Sequence, residues 1–309
     1  MSNNNAKGER ESKSRLETPP TVFAVVVAVA VALSGCASME ATPPPTLSSR
    51  PPVAASPPGL GSTFVSPADG MTMIFVPAGE FVMGSEIGLT DEQPVHTVFL
   101  DAFWIDQTEV TNAMYKLCVQ SGACSQPSTT TYYGDATYSD HPVVFVSWNQ
   151  AVAYCAWVGR RLPTEAEWEK AATWESAANK KRVYPWGNDF DCQRGNFEGS
   201  DCDGYDQTSP ARSFPSGASP YGVLDMGGNE WEWVHDAFLE TDPFTGGKTY
   251  YAVSPAANPS GPDPKTSIYR VLRGGAWEHN FGFGRSAYRL WFGLDDTYNF
   301  TGFRCALTE

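Results

Sequence analysis

One thirteen-residue stretch, residues 221–233, restricts the fold of this chain most strongly: Tyr-Gly-Val-Leu-Asp-Met-Gly-Gly-Asn-Glu-Trp-Glu-Trp. It is too rich in glycine for a helix and too irregular for an ordinary strand. Its three acidic side chains, with the free carbonyls of the Gly227-Gly228 bend, offer hard oxygen donors at the short spacing that a calcium ion accepts. The alternative is a glycine-rich turn entering a half-buried strand in which tryptophan and glutamate alternate. The acidic residues are Asp225, Glu230 and Glu232.

Length and charge narrow the possible functions. The 309 residues are 41% hydrophobic and 13% aromatic, which is enough for a sizeable core. The formal net charge is −14, and no concentrated basic surface is evident. The charge therefore argues against nucleic acid as a partner, because phosphate binding needs such a surface. Acidic loops agree better with cation binding and high solubility.

The N-terminus has the pattern of an export signal. Four basic residues precede an apolar run, residues 22–33, that is too short to span a bilayer and suits a signal-peptide core. The run ends in Leu33-Ser-Gly-Cys36, which resembles a bacterial lipobox. We expect a signal peptide at 1–35, lipidation of Cys36, and a mature lipoprotein anchored by lipid on the periplasmic or cell-surface face of a bacterial membrane. The Pro/Ser-rich segment 36–67 is predicted to be a tether, because it has too few large apolar residues to fold.

The remaining residues, 68–309, are predicted to form one loop-rich α+β domain. Two short strands are expected around the Pro77-Ala-Gly79 turn, and another over residues 98–105. Three helices are indicated by N-terminal caps at Thr111, Ser147 and Thr164. The last two caps begin Ser-x-x-Gln and Thr-x-x-Glu capping boxes. After residue 188 regular structure gives way to long loops rich in glycine, aspartate and aromatic residues.

An even number of cysteines accompanies the export signal, which favours disulfides. Besides Cys36 there are six, which sequence alone could pair in fifteen ways. Local spacing favours Cys118 with Cys124 and Cys192 with Cys202, leaving Cys155 with Cys305.

A second oxygen-rich loop contains Gly195-Asn196-Phe197 and Asp203-Gly204-Tyr205. With nearby carbonyls it could hold another calcium ion, although Asx-Gly turns make the same contacts without metal.

A series of motifs, in this order, resembles the formylglycine-generating enzyme, or sulfatase-modifying factor, family over residues 71–309. The resemblance implies a single C-type-lectin-like α+β domain with bound calcium. The motifs are Pro77-Ala-Gly-Glu-Phe with Met83-Gly-Ser85, Glu109-Val-Thr-Asn112, Val146-Ser-Trp-Asn with Ala153-Tyr-Cys155, Arg161-Leu-Pro-Thr-Glu-Ala-Glu-Trp168, Pro185-Trp-Gly-Asn188, Gly228-Asn229 with Trp231-Glu-Trp233, Arg273-Gly-Gly275 and Gly302-Phe-Arg-Cys305.

The resemblance also implies ligands for two structural calcium ions and supports the Cys155–Cys305 pair. One ion would be bound by Asp225, the carbonyls of Gly228 and Glu230, and the Glu232 carboxylate. The other would be bound by the side chains of Asn196 and Asp203 with the carbonyls of Phe197 and Tyr205.

The oxidase activity of the family's enzymes is not expected in this chain. They oxidise a substrate cysteine with oxygen and a copper(I) ion held by two thiolates, soft ligands that copper(I) favours. Here His279 and Gly284 stand at those positions, no cysteine lies between Arg273 and Cys305, and Ala276 replaces a common serine. Copper is therefore not expected.

Two functions remain open. The first is a lipid-anchored, non-catalytic module that binds a peptide or protein in the family's substrate groove. That groove would be lined by Trp277, His279, Phe281, Tyr288 and Trp291. The second is an oxidoreductase with altered metal chemistry, like the iron-dependent branches that share this domain. Four scattered histidines, without the additional helical domain of the sulfoxide synthases, favour the first.

Overall fold

A computed structural model describes residues 57–199, 203–241 and 247–309. Three short helices and several small sheets confirm the predicted α+β class. The helices are α1 (Asn112–Ser121), α2 (Trp148–Trp157) and α3 (Glu165–Thr173). The strands are β1 (Thr63–Val65), β2 (Thr72–Val76), β3 (Gly79–Met83), β4 (His96–Leu100), β5 (Phe103–Asp106), β6 (Trp174–Glu175), β7 (Lys180–Lys181), β8 (Trp231–Ala237), β9 (Tyr269–Arg273), β10 (Leu290–Gly293), β11 (Thr301–Gly302) and β12 (Ala306–Thr308).

The larger sheets have the strand orders β1-β2-β5-β12 and β10-β9-β8-β11, and β3-β4 and β6-β7 form two-stranded sheets. The single strand predicted over residues 98–105 is wrong, because the chain breaks at Asp101-Ala102. The first half is β4, which pairs with β3, and the second half is β5, which pairs with β2 and β12. The two halves therefore belong to different sheets. Strand β1 pairs with β2, so the folded domain begins before residue 68 and includes the end of the predicted tether.

All three predicted helix caps form as hydrogen bonds. Thr111 accepts from the backbone N–H of Met114 at the start of α1. Ser147 and Thr164 take part in complete capping boxes with Gln150 and Glu167. Each cap satisfies backbone donors that a helix end leaves free, and this is why the local pattern located the helices correctly.

The centre of the domain is formed by α3 and β8. Every residue of α3 is buried, including the fully buried Trp168. In β8 the predicted alternation is present, with Trp231 and Trp233 opposite Glu232, but all three side chains are fully buried. The acidic face of this strand therefore points into the protein, where each charge needs a partner.

Two of the predicted disulfides are present, Cys118–Cys124 and Cys155–Cys305. Cys192 is also disulfide-bonded, and its predicted partner Cys202 lies outside the described residues. Disulfides persist in oxidising compartments, which indicates a secreted or extracellular domain. Among the described residues no helix is both long and apolar enough to cross a membrane, while residues 1–35 and Cys36 are not among them.

Candidate metal centre and ligand groove

The two predicted calcium loops lie against each other. The backbone N–H of Asn229 donates to the carbonyl of Asn196 at 2.9 Å, and the Asn196 amide Nδ2 lies 3.3 Å from Asn229 Oδ1. Gly228 has a positive φ of 89°, and a Cβ there would lie 2.4 Å from the Asn196 carbonyl oxygen. Only glycine allows this approach, so the Gly227-Gly228 bend joins the loops into one centre.

Within the first loop, Glu232 and Asp225 have different surroundings. Glu232 forms a fully buried ion pair with Arg304, accepting from Nε at 2.6 Å and Nη2 at 2.7 Å, and also accepts from the Trp168 indole at 2.8 Å. Asp225 accepts from the Arg212 backbone N–H through Oδ2, whereas its buried Oδ1 has no partner. Asp225 therefore has a free oxygen for a cation, while Glu232 is already neutralised.

Two further carboxylates complete this buried acidic cluster, which we define as Glu109, Asp225, Glu230 and Glu232. Glu109 accepts from the Asn229 amide through Oε1, and its Oε2 has no partner. Glu230 is fully buried, its carboxylate oxygens have no side-chain partner, and the Phe303 backbone acts on them. Sequence reasoning missed Glu109 because it lies 116 residues before Asp225. It counted the Glu230 side chain among the acidic donors, whereas the family resemblance assigned only the Glu230 carbonyl.

Burial dominates the electrostatics of the cluster. It raises the pKa of Glu109 and Glu230 well above the ordinary glutamate value, and neighbouring carboxylates raise both further. It raises the pKa of Asp225 to about 6. Among the described residues that act most strongly on these three, Arg304 is the only cation.

The second loop forms a turn around Asp203 and leaves one side-chain oxygen able to bind a metal ion. The Asp203 carboxylate accepts from the backbone N–H groups of Phe197 and Tyr205 at 3.1 and 3.0 Å, and the contact with Tyr205 is that of a metal-free Asx turn. Asn196 is fully buried, and its Oδ1 has no partner. No group of three or more His, Cys, Asp or Glu side chains in the described ranges is arranged to hold a metal ion. The free oxygens are hard donors, which fit calcium provided that amide and carbonyl oxygens contribute.

Aromatic rings pack closely around His279 and Gly284, the two positions where the resemblance would place thiolates. The His279 ring lies edge-on to Trp231, Phe283 and Phe300, with centroids 6.0, 5.4 and 5.0 Å away. Burial lowers the pKa of His279, so the imidazole is neutral near pH 7, and its buried Nδ1 has no partner. Ala276, three residues before His279, is also fully buried.

Gly284 leaves no room for a side chain. A Cβ at this position would lie 2.3 Å from Cε1 and 2.4 Å from Cζ of Phe197. These distances are well below van der Waals contact, and the ring is itself buried among Trp186 and Phe190. A cysteine at position 284 would therefore require Phe197 to move.

The five predicted groove residues do not form one surface. Tyr288 contacts Trp231, as His279 does, with ring centroids 5.8 Å apart. The Trp277 indole donates to the Asn299 carbonyl at 3.3 Å. Phe281 is exposed and stacks on Phe190 at 4.6 Å. Trp291 instead stacks on Phe238 and contacts Tyr269, because it alternates with the inward Leu290 and Phe292 of β10.

Beside Trp277 an open cavity of about 510 Å³ separates two loops. The Glu198 backbone N–H donates to the His279 carbonyl, so the cavity adjoins the thiolate-equivalent positions. Its lining is acidic and aromatic. The lining residues include Glu198, Asp203, Tyr205, Asp206, Trp277 and Glu278.

Comparison with known proteins identifies the relatives of this chain. The family model described as the sulfatase-modifying factor enzyme 1-like domain matches residues 62–309. The serine/threonine-protein kinase pkn1 of Chlamydia caviae is 36% identical over 253 residues, covering 76% of this chain and 37% of the kinase. The formylglycine-generating enzyme of Streptomyces coelicolor is 33% identical over 314 residues, covering 82% of this chain and 94% of the enzyme.

Solved structures support the same fold. The structure of PvdO from Pseudomonas aeruginosa superposes with a TM-score of 0.67 and 27% identity, covering 82% of this chain and 100% of that chain. The likeness confirms the predicted single C-type-lectin-like α+β domain. This chain spans little more than a third of the length of the Chlamydia kinase, so only that part of the kinase is similar to it.

Proposed function

The chain belongs to the sulfatase-modifying factor enzyme 1-like family, and on that premise we propose that it is a non-catalytic module that binds a peptide or protein ligand. We further propose that the module is exported and held to a bacterial membrane by a lipid on Cys36. The observations that support each part are different, and they are taken in turn below.

The packing of Phe197 against Gly284 carries the non-catalytic assignment. Copper(I) oxidation of a cysteine in this family uses two thiolates, and this chain has His279 and Gly284 in their place. The Phe197 ring fills the volume that a side chain at position 284 would need. A neutral imidazole alone supplies neither the ligand number nor the softness that copper(I) prefers. Copper is therefore not part of the proposal.

The acidic cavity beside Trp277 supports the ligand-binding role. Its volume of about 510 Å³ accommodates a few side chains of an extended segment. The carboxylates of Glu198, Asp206 and Glu278 favour a segment without negative charge, and Trp277 offers an apolar surface. Lipid anchoring is supported by the Leu33-Ser-Gly-Cys36 motif and the disulfides, since exported proteins retain disulfides.

Calcium is proposed as the structural cofactor of both loops. Asp225 Oδ1 and Asn196 Oδ1 are buried oxygens with no partner, and a calcium ion would satisfy them. Around Asp225 the carbonyls of Gly228 and Glu230 and the carboxylate of Glu232 would complete one site. Around Asn196, Asp203 with the carbonyls of Phe197 and Tyr205 would complete the other. The ions would supply charge compensation and hold the loops together.

The alternative function, an oxidoreductase of altered metal chemistry, is favoured by one observation. The Nδ1 atom of His279 is buried without a partner, and neutral imidazole is a good ligand for iron and other divalent metals. Metal analysis of the protein purified without chelator separates the two: a stoichiometric redox metal lost in the His279→Ala variant would favour the enzyme.

The binding role is tested by selecting peptides from a random phage-displayed library with the purified protein. We expect enriched peptides whose binding is lost in Trp277→Ala and weakened in Glu278→Gln, because both side chains line the cavity. Trp291→Ala is the matched control, since this tryptophan belongs to a separate aromatic group. Failure to enrich any peptide above the Trp277→Ala background would contradict the proposal.

A further inference from the structure

In the cavity beside Trp277, one residue holds an aromatic ring and a carboxylate next to each other. The backbone carbonyl of Asn299 accepts from the Trp277 indole N–H at 3.3 Å, and the Asn299 side-chain amide donates to Glu278 Oε2 at 3.0 Å. Trp277 and Glu278 are half-buried and both line the cavity. The indole is hydrogen-bonded at its edge only, and the second oxygen of Glu278 has no hydrogen bond within the described residues.

The loop of residues 197–206 supplies a second polar ring and three more carboxylates. Tyr205 is 38% exposed, and its hydroxyl donates to Ser213 Oγ at 3.3 Å. Asp203 accepts from two backbone N–H groups of its own loop, while Glu198 and Asp206 are exposed. The Tyr205 ring is therefore held in place before a ligand binds, which lowers the entropy lost on binding.

The negative charge of this cavity has no balancing cation. Four carboxylates are among the described residues that line it, and none of these residues is lysine or arginine. No ion pair in the described part of the chain uses Glu198, Asp206 or Glu278. Residues 200–202 of the same loop, Ser-Asp-Cys, contain no basic group either. Carboxylates gathered in one cleft attract cations and give specificity for a positively charged partner.

The paired indole and carboxylate select among cations. No three acidic side chains in the described ranges are placed to hold a metal ion, so a metal does not explain this cavity. A guanidinium group is planar, so it can stack on the face of Trp277 while its N–H groups donate to the free oxygen of Glu278. A lysine ammonium is a compact, strongly hydrated charge that lacks this flat face. The chemistry therefore favours arginine over lysine.

We propose that the ligand of this module is a basic peptide segment, with one arginine side chain stacked on Trp277 and bound to Glu278. Glu198 and Asp206 attract further positive charge on the same segment. This inference rests on the proposed peptide-binding function and narrows the class of ligand. The cavity volume of about 510 Å³ accommodates the arginine together with parts of its neighbours in an extended chain.

The first test uses the peptides that the phage selection enriches on the unmodified protein. Every peptide whose binding is lost in Trp277→Ala should contain arginine. In synthetic copies, replacing that arginine with citrulline keeps the shape of the side chain and removes its charge. Fluorescence anisotropy should show an affinity lower by roughly tenfold or more for the citrulline peptide, and a smaller loss for a lysine peptide.

The second test removes the charge from the protein instead. In Glu278→Gln the new amide keeps an oxygen that can accept from Asn299, so the variant changes the charge with little change in shape. We expect the affinity ratio between the arginine and citrulline peptides to fall several-fold in this variant. Glu80→Gln is the matched control, because Glu80 is exposed and does not line the cavity, and it should leave the ratio unchanged.

The outcomes distinguish this inference from the proposed function. If no Trp277-dependent peptide is enriched, the peptide-binding function fails and the inference fails with it. If Trp277-dependent peptides lack arginine, or bind equally well with citrulline, only the inference is refuted. An arginine-to-citrulline ratio that is the same in Glu278→Gln and in the unmodified protein refutes the pairing with Glu278. The citrulline comparison needs no protein variant, so it decides the question even if Glu278→Gln fails to fold.

Discussion

Replacing Glu232 with alanine should destabilise the domain strongly even when calcium is absent. Its carboxylate accepts three hydrogen bonds, two from Arg304 and one from the Trp168 indole, and all three side chains are fully buried. The substitution leaves the buried Arg304 guanidinium without the carboxylate that it hydrogen-bonds, although the Glu109 and Asp225 carboxyl groups remain near it. Breaking a buried pair in this way costs about 3–5 kcal/mol.

The loss is best measured as the free energy of unfolding by urea denaturation in excess EDTA. For a domain of this size, about 4 kcal/mol corresponds to a melting temperature lower by roughly 10 °C. The control is Glu175→Ala, because Glu175 pairs with Arg182 at 3.0 Å at the surface, with 39% and 26% of the side chains exposed. Such exposed pairs contribute about 0–1 kcal/mol.

Measuring the loss of unfolding free energy in EDTA and again in calcium distinguishes two roles of Glu232, as the ion-pair partner of Arg304 and as a calcium ligand. If the ion pair is the main contribution, Glu232→Ala loses nearly the same free energy in both conditions. A loss in EDTA no larger than that of Glu175→Ala would refute this reasoning and would make Glu232 primarily a calcium ligand.

Three further predictions concern catalysis, copper binding and pH. With copper and a Cys-x-Pro-x-Arg peptide, the purified protein should leave the cysteine unmodified by mass spectrometry, whereas aldehyde formation would overturn the non-catalytic assignment. Copper(I) binding should appear in His279→Cys with Gly284→Cys only when Phe197→Ala is added, because the ring occupies the position of the new Cβ at residue 284. Burial raises the pKa of Glu169, but Lys181 and Arg273 outweigh it and lower the pKa to about 2. Stability from this group is therefore complete above pH 4.5 and is lost as pH falls towards 2, by about 3 kcal/mol in urea denaturation. An identical loss in Glu169→Gln would contradict this assignment.

Features encoded by neighbouring residues were predictable from the sequence. The caps at Thr111, Ser147 and Thr164 form because a side chain and the backbone three residues later meet in any helix start. The Cys118–Cys124 disulfide spans a separation of six residues, so spacing alone indicated it. The calcium loops remain a prediction, made from local clusters of oxygen donors.

Features that depend on tertiary contacts were not predictable in the same way. Glu109 meets Asp225 across 116 residues, and no local pattern distinguishes Glu109 from a surface glutamate. The break between β4 and β5 falls at Asp101-Ala102, which contains neither glycine nor proline, because pairing with different sheets decides it. The separation of Trp291 from Trp277 was within reach, since strand alternation with Leu290 and Phe292 turns it to the opposite face.

The contact between Phe197 and Gly284 has an evolutionary consequence. A lineage that carries it cannot reach a thiolate pair by favourable single steps. Cysteine at position 284 alone would be forced against the ring, and overpacking a core typically costs about 1–3 kcal/mol. Losing the ring first would open a void beneath Trp186 and Phe190, and truncating a buried phenylalanine costs about 3–5 kcal/mol. With both intermediates less stable than the present sequence, selection for folding alone disfavours the single substitutions that lead to a cysteine at position 284.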